Sequence, residues 1–247
     1  MNNKWKAIWE KRNGRFGQID MTDCKAVFLE LKRIDGFDVV GGGITYEALI
    51  EQNAEIMRHL SKKGDIHSIF DVGCGCGANL YLFKNDGLEI GGIDYSSTLI
   101  EIAQKVLEKD SVDELICGEA KDLPTEIKYD AVVSNSVFSY FESENYAEIV
   151  LDKMLRKSRV SIGLIDVHDI SKKEAFTEYR RKVVENYDER YERLQKFFYK
   201  RVFFEEWAVK HNLEIEFDDS KVEGYWNNDF VFNVFFYKKL QKRLKFT

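Results

Sequence analysis

A chain of 247 residues, 44% hydrophobic and 32% charged, has the apolar mass for a full core and the polarity of a soluble globular protein. Its net charge of −6 favours no nucleic-acid partner, which normally demands a basic face, and no run reaches the ~18 apolar residues of a membrane span. Cys24, Cys74, Cys76 and Cys117 have neither zinc-ribbon spacing nor a partner pair, so no metal is expected, and free thiols without a signal-peptide core point to the cytoplasm.

In chain order, residues 1–44 mix Trp5, Trp9, Phe16, Phe28, Leu31 and Phe37 with charge, as in a cap over a site or a packing extension of the core. Residues 45–60 form one amphipathic helix, with Tyr46, Leu49, Ile50, Ile56, Met57 and Leu60 on a face. An apolar strand at 68–73 then breaks into Asp71-x-Gly73-x-Gly75-x-Gly77, and a helix opens at Ala78. The glycines recur every second residue, which is not the G-x-G-x-x-G dinucleotide fingerprint. A second strand, 89–94, ends in another acid, Asp94, followed by Tyr95 and Ser96. A helix over 96–107 repeats at 3.6 residues, and a third strand, 114–119, leads to Glu119 and Ala120. Pro124, the only proline, marks a loop. A fourth strand, 131–135, exits through Ser136-Val137-Phe138-Ser139-Tyr140-Phe141; helix 146–154 and a fifth strand, 160–166, follow.

Beyond it, Ser171-Lys172-Lys173-Glu174 reads as a capping box and 174–200 as helical, either a lid and substrate platform or a solvent-facing hairpin that could serve a homodimer. Helix 203–211 and strand-like runs 213–217 and 230–237 close the chain, and the basic run Lys242-Arg243 reads as a solvated edge. Alternating strands and helices give parallel βαβ units with right-handed crossovers, which place a ligand at the carboxyl ends of the strands. Glycines at 73, 75 and 77 let the backbone approach that ligand, and a strand-end carboxylate accepts two hydrogen bonds from a diol. His168 is the only histidine at a predicted strand end beside this pocket, where it would act as a general base or only as a hydrogen-bonding loop residue. Asp166, on the same face, would orient it or bind substrate. Arg180 or Arg181 would hold a phosphate or carboxylate bidentately, or else bridge to Glu178 or Glu185.

Together, the 71–77 turn, Asp94 and Glu119-Ala120 resemble the class I S-adenosylmethionine-dependent methyltransferases. The resemblance implies one domain with a Rossmann-like, doubly wound, seven-stranded and mostly parallel α/β sheet and an antiparallel C-terminal hairpin. It would comprise an N-terminal helical cap (1–44), a cofactor-binding core (45–170), a helical insertion after strand five (171–200), and a final helix with closing strands (201–247). S-adenosylmethionine, released as S-adenosylhomocysteine, would contact Trp9, Asp71, Gly73, Cys74, Gly75, Gly77, Asp94, Tyr95, Ser96, Glu119, Ala120, Ser134 and Asn135. Within that family, Asp94 would hold the ribose hydroxyls, Glu119 the adenine amino group, and a carbonyl at or near Ser134 the methionine amino group.

The exit loop lacks both the N/D-P-P-Y/W motif of amino-group methylation on DNA bases and the paired glutamates of protein arginine methyltransferases. A narrower resemblance is to bacterial methyltransferases encoded with surface-polysaccharide genes, through the S-N-S-V-F-x-Y-F run, the Arg180-Arg181 helix and Phe230-x-Phe232-Asn233. It implies a small-molecule substrate, met by Tyr140, Arg180, Arg181, Tyr225, Asn227 and Asn233, and O-methylation of a sugar or of a phosphoramidate or phosphorylated capsule precursor. N-methylation of a small amine and a non-catalytic cofactor-binding module are the alternatives.

Overall fold

In the computed structural model, described over residues 3–36, 43–107 and 112–239, strands and helices largely alternate between residues 68 and 168. Three helices come first: α1 (Asn3–Trp9), α2 (Cys24–Ile34) and α3 (Tyr46–Leu60). Asp23 and Thr45 start α2 and α3 by accepting from backbone N–H groups of the first turn, which satisfies donors that a helix otherwise leaves open. The alternating part runs β1 (Ser68–Val72), α4 (Ala78–Asn85), β2 (Glu89–Asp94), α5 (Ser97–Val106), β3 (Val112–Cys117), β4 (Tyr129–Asn135), α6 (Glu144–Lys157) and β5 (Ser158–His168). After α7 (Lys173–Val183), α8 (Tyr187–Tyr191) and α9 (Arg201–Lys210), the strands β6 (Leu213–Asp219) and β7 (Val231–Lys238) end the described chain.

The seven strands form one sheet in the order β3-β2-β1-β4-β5-β7-β6. The first five run parallel, and β7 is antiparallel to both β5 and β6. β1 is buried at every position, as a strand covered on both faces must be. One face buries Phe70, Val132, Leu151, Phe204 and Phe236, and the other Ile69, Leu80, Ile100, Val133 and Phe235. A third cluster joins α2 to α3, α4 and α5 through Val27, Phe28, Leu31 and Ile34, so the early helices cap the carboxyl end of β1. The strand order reverses between β1 and β4, which opens the crevice where ligands of such sheets bind.

Two expectations are corrected. Residues 174–200 are not one helical stretch: α7 stops at Val183, Asn186 takes a left-handed conformation (φ 53°), and the chain beyond α8 runs extended to a bridge between Asp169 and Tyr199. Packing overrides propensity here, because Phe198 and Tyr199 are buried and the Tyr199 N–H donates to the His168 carbonyl. Nor is Ser171 a helix cap. It lies inside a 3₁₀ turn capped by Asp169, which accepts from both the Ser171 N–H and its hydroxyl. Phe37 and the Lys242-Arg243 run lie outside the described residues. No helix among the described residues is long and apolar enough to cross a membrane.

Candidate active site

The turn after β1 is built to leave room. Gly73 and Gly75 have φ of 81° and 55°, a region that side chains disfavour. A Cβ on Gly73 would sit 2.4 Å from Val137, and one on Gly75 2.3 Å from an Asp35 carboxylate oxygen. The Gly73 and Cys74 N–H groups both donate to the Ile93 carbonyl, tying the turn to β2.

A cavity opens beside it, lined by Gly73, Cys74, Gly75, Asn79, Ile93, Asp94, Tyr95, Leu99, Gly118, Ala120, Asn135, Ser136, Val137 and Tyr140, with Trp9, Lys32 and Asp35 from the cap. Asp94, at the end of β2, accepts from the N–H groups of Gly75 (3.1 Å) and Ser96 (2.8 Å), which aim its carboxylate. Burial pushes Asp94 up to about 6 and Asp71 up to about 7. Asp71 accepts from Asn79, while its second oxygen, like the Tyr95 hydroxyl, is buried without a hydrogen-bond partner among the described residues. Asp35 accepts from the Cys76 N–H at 2.9 Å, and burial raises its pKa; burial lowers that of Lys32.

Several expected cofactor residues support this cavity without lining it. Gly77 and Ser96 start α4 and α5. The Ser134 hydroxyl donates to the Val72 carbonyl, and Glu119 accepts from the Tyr146 hydroxyl at 2.8 Å. Asp71 lies behind the turn. Lys32 and Asp35 were missed, because their position depends on how α2 docks and no local spacing signals it.

A second cavity of about 620 Å³ adjoins the first and shares Trp9, Asp35, Ser136 and Tyr140 with it. That volume suits a small-molecule ligand. Its wall includes Asp166, His168, Arg180, Tyr225 and Asn227. Asp166 breaks the regularity of β5: its φ is 62°, and the register with β7 shifts between Leu164 and Val167. Its carboxylate accepts from Ser136 (2.6 Å), Tyr225 (2.8 Å) and Asn227 (3.1 Å), and no hydrogen bond joins it to His168 among the described residues. His168 is 3% exposed, and its ring stands edge-on to Phe176 and Phe198. Its Nδ1 is buried without a hydrogen-bond partner among the described residues. Burial, and then the Lys196 charge, hold it well below its ordinary pKa, so it is neutral at pH 7. Arg181 is exposed, pairs with Asp188 and takes no part in this wall. Asn233 stands behind it, accepting from the Asp166 N–H.

The residues present fit S-adenosylmethionine. Asp94 offers a carboxylate for a ribose diol, Ile93, Leu99 and Ala120 offer an apolar slot for a flat ring, and the Tyr95 hydroxyl in the lining is buried without a hydrogen-bond partner among the described residues.

Residues 69–158 match the family model described as "Methyltransferase domain". A curated relative, the malonyl-[acyl-carrier protein] O-methyltransferase of Priestia megaterium, is 38% identical over 78 residues, which are 31% of this chain and 28% of that protein. The matched stretch therefore spans less than a third of that relative's length. Among solved structures, the plantazolicin methyltransferase BpumL, in complex with a pentazolic desmethyl analogue and S-adenosylhomocysteine, superposes with a TM-score of 0.60 at 16% identity, covering 97% of this chain and all (100%) of the other. CalS10, an amino pentose methyltransferase from Micromonospora echinaspora bound to S-adenosylmethionine, superposes at 0.58 and 12% identity, covering 78% of this chain and 96% of its own. Sheet order and topology are those of the class I methyltransferase fold.

Proposed function

We propose that this chain, whose residues 69–158 match the methyltransferase-domain model, is a class I S-adenosylmethionine-dependent methyltransferase that methylates a small polar molecule in the cytoplasm. The observation that carries the proposal is the pair of adjoining cavities. One is lined by the glycine turn and Asp94, the other holds a neutral buried histidine, and Trp9, Asp35, Ser136 and Tyr140 form their common wall.

When bound, the cofactor supplies an activated methyl group together with its leaving group. Asp94 would hold the ribose hydroxyls, and Gly118 and Ala120 would border the adenine. Asn135, Ser136 and the buried Lys32 would meet the amino-acid end. Asp166, fixed by its three donors, holds Ser136, Tyr225 and Asn227 in place and so shapes the boundary between the two cavities. His168 has the protonation state and the free Nδ1 needed to take a proton from an acceptor hydroxyl. Fixing the acceptor in line with the methyl group can supply roughly 7–11 kcal/mol of the barrier.

The specific reading is O-methylation of a sugar, or of a phosphoramidate or phosphorylated precursor, in capsular polysaccharide biosynthesis. It rests on the resemblance of the 134–141 loop and the 230–233 run, and on the arginines of the second cavity. The test is calorimetric binding of S-adenosylhomocysteine, followed by methyl transfer from S-adenosylmethionine to a panel of sugar, phosphorylated and amine acceptors. Turnover of an amine alone would favour N-methylation. Tight binding with no product from any acceptor class would point to a cofactor-binding module.

A further inference from the structure

The second cavity is strongly cationic although the protein is acidic. Arg12, Arg180, Arg190 and Lys196 all line it, while the whole chain carries a net charge of −6. Among the described residues, none of the four has a carboxylate within ion-pair distance, in contrast to Arg181, Arg201 and Lys210. Three of them, Arg180, Lys196 and Arg12, are held by neutral groups instead. The Arg180 guanidinium lies 4.9 Å from the Trp226 ring centroid and 5.6 Å from that of Tyr191, whose hydroxyl it meets at 3.3 Å. The Lys196 ammonium stands 3.5 Å over the Tyr140 ring and donates to the Ser139 hydroxyl, and Arg12 stands 5.3 Å over Trp9. Aromatic faces and hydroxyls hold these cations without neutralising them.

The carboxylates of the same cavity are already engaged. Asp166 accepts three hydrogen bonds from side chains, and Asp35 accepts from the Cys76 N–H at the glycine turn. Four cations against two carboxylates leave this partly enclosed space net positive, and the repulsion among the cations is relieved when a multiply charged anion enters.

We infer that the methyl acceptor is a phosphate ester or diphosphate, recognised by Arg12, Arg180, Arg190 and Lys196. This rests on the methyltransferase reading for its role but not for its binding. It separates the phosphorylated acceptors from neutral sugars and from cationic amines, which these charges disfavour. It also assigns recognition to Arg12, Arg190 and Lys196, which no motif marks. Lys196 and Arg12 stand against Tyr140 and Trp9, which border the cofactor cavity, whereas Arg180 and Arg190 lie on α7 and α8 at the far side. The cavity thus offers cations at both ends, as a diphosphate or a molecule with two anionic groups would use. A bound anion beside Lys196 also offsets the second of the two influences that hold His168 below its ordinary value, making it a better proton acceptor when substrate is present.

Calorimetry on the full chain tests this, with S-adenosylhomocysteine titrated first and inorganic pyrophosphate, malonate or glucose second. Pyrophosphate is expected to bind one per chain, more tightly than malonate, with an affinity that falls as salt rises; glucose is expected to give no isotherm. Arg180→Gln and Lys196→Gln should each weaken pyrophosphate about tenfold or more, as the loss of a charge-assisted hydrogen bond does, and leave S-adenosylhomocysteine affinity unchanged. Absence of pyrophosphate binding, equal binding by both variants, or preference for malonate would overturn the inference while S-adenosylhomocysteine binding stood. Pyrophosphate binding that the variants weaken upholds the anion site even were the cofactor analogue not bound.

Discussion

Asp71 and Asp94 are carboxylates kept in a space that disfavours their charge. Both fold with a pKa above the value of 3.8 that a free aspartate shows, about 7 and about 6 respectively, first because of burial. An acid of this kind binds more protons folded than unfolded between the two values. Its contribution is therefore greatest at low pH and is lost as pH rises from about 4 through about 7. The melting temperature of the ligand-free chain should fall across that window, and Asp71→Asn should flatten the slope. Cofactor affinity should run the other way, rising with pH as Asp94 ionises and accepts the ribose hydroxyls. Asp94→Ala should weaken S-adenosylhomocysteine at least ~10-fold through lost charge-assisted hydrogen bonds; a folded variant with unchanged affinity would refute the assignment. His168→Gln separates the two cavities. It should lower kcat for a hydroxyl acceptor by roughly 10²–10⁴ and leave S-adenosylhomocysteine affinity as it was. An unchanged pH–rate profile in that variant would remove His168 from the chemistry.

Elements differ in how much of their role the sequence carries. The β1 turn was legible because its demands are local: Gly73 and Gly75 stand where a Cβ would meet Val137 and Asp35, and Asp94 ends the neighbouring parallel strand. The strand runs were legible for the same reason, as periodicity is a local property, while the antiparallel pairing of the closing two came from the family resemblance and not from their pattern. Residues 192–200 were not, since their charged, helix-compatible sequence is pulled into an extended path by the burial of Phe198 and Tyr199. Lys32, Asp35, Arg12 and Lys196 were invisible too. They reach the cavities through the docking of α2, α1 and the insertion, which no spacing encodes. That makes α2 both a packing and a functional element. Phe28, 1% exposed, anchors it among Tyr46, Leu49 and Ala78. Phe28→Ala should cost about 3–5 kcal/mol in chemical denaturation, as large buried rings do. It should also weaken S-adenosylhomocysteine, because the same helix carries Lys32 and Asp35 to the site. Lost stability with cofactor affinity intact would show that the cap packs without contributing to binding.

At the scale of the molecule, the two cavities are walled by different parts of the chain. The cofactor side joins α1, α2 and the β1 turn, whereas the far side of the second cavity is made by α7, α8 and the 224–227 segment. A ligand in the first cavity should therefore stabilise the sheet and cap without fastening the insertion. S-adenosylhomocysteine at 100 times its Kd should raise stability by about 2.7 kcal/mol if it binds only the folded chain. Hydrogen exchange should then slow in α2 and in residues 73–77, whose amides adjoin the ligand, and stay fast in α7 and α8. Addition of pyrophosphate should slow exchange in α7 and α8, because Arg180 and Arg190 belong to them. Protection of α7 and α8 by S-adenosylhomocysteine alone would mean that the insertion closes on the cofactor rather than on the acceptor. The insertion would then be a lid over both cavities, and the order of binding would be fixed with cofactor first. Protection only in the presence of the second ligand would instead leave the cofactor cavity open while the acceptor is chosen, which places selectivity in the insertion and methyl-donor binding in the sheet.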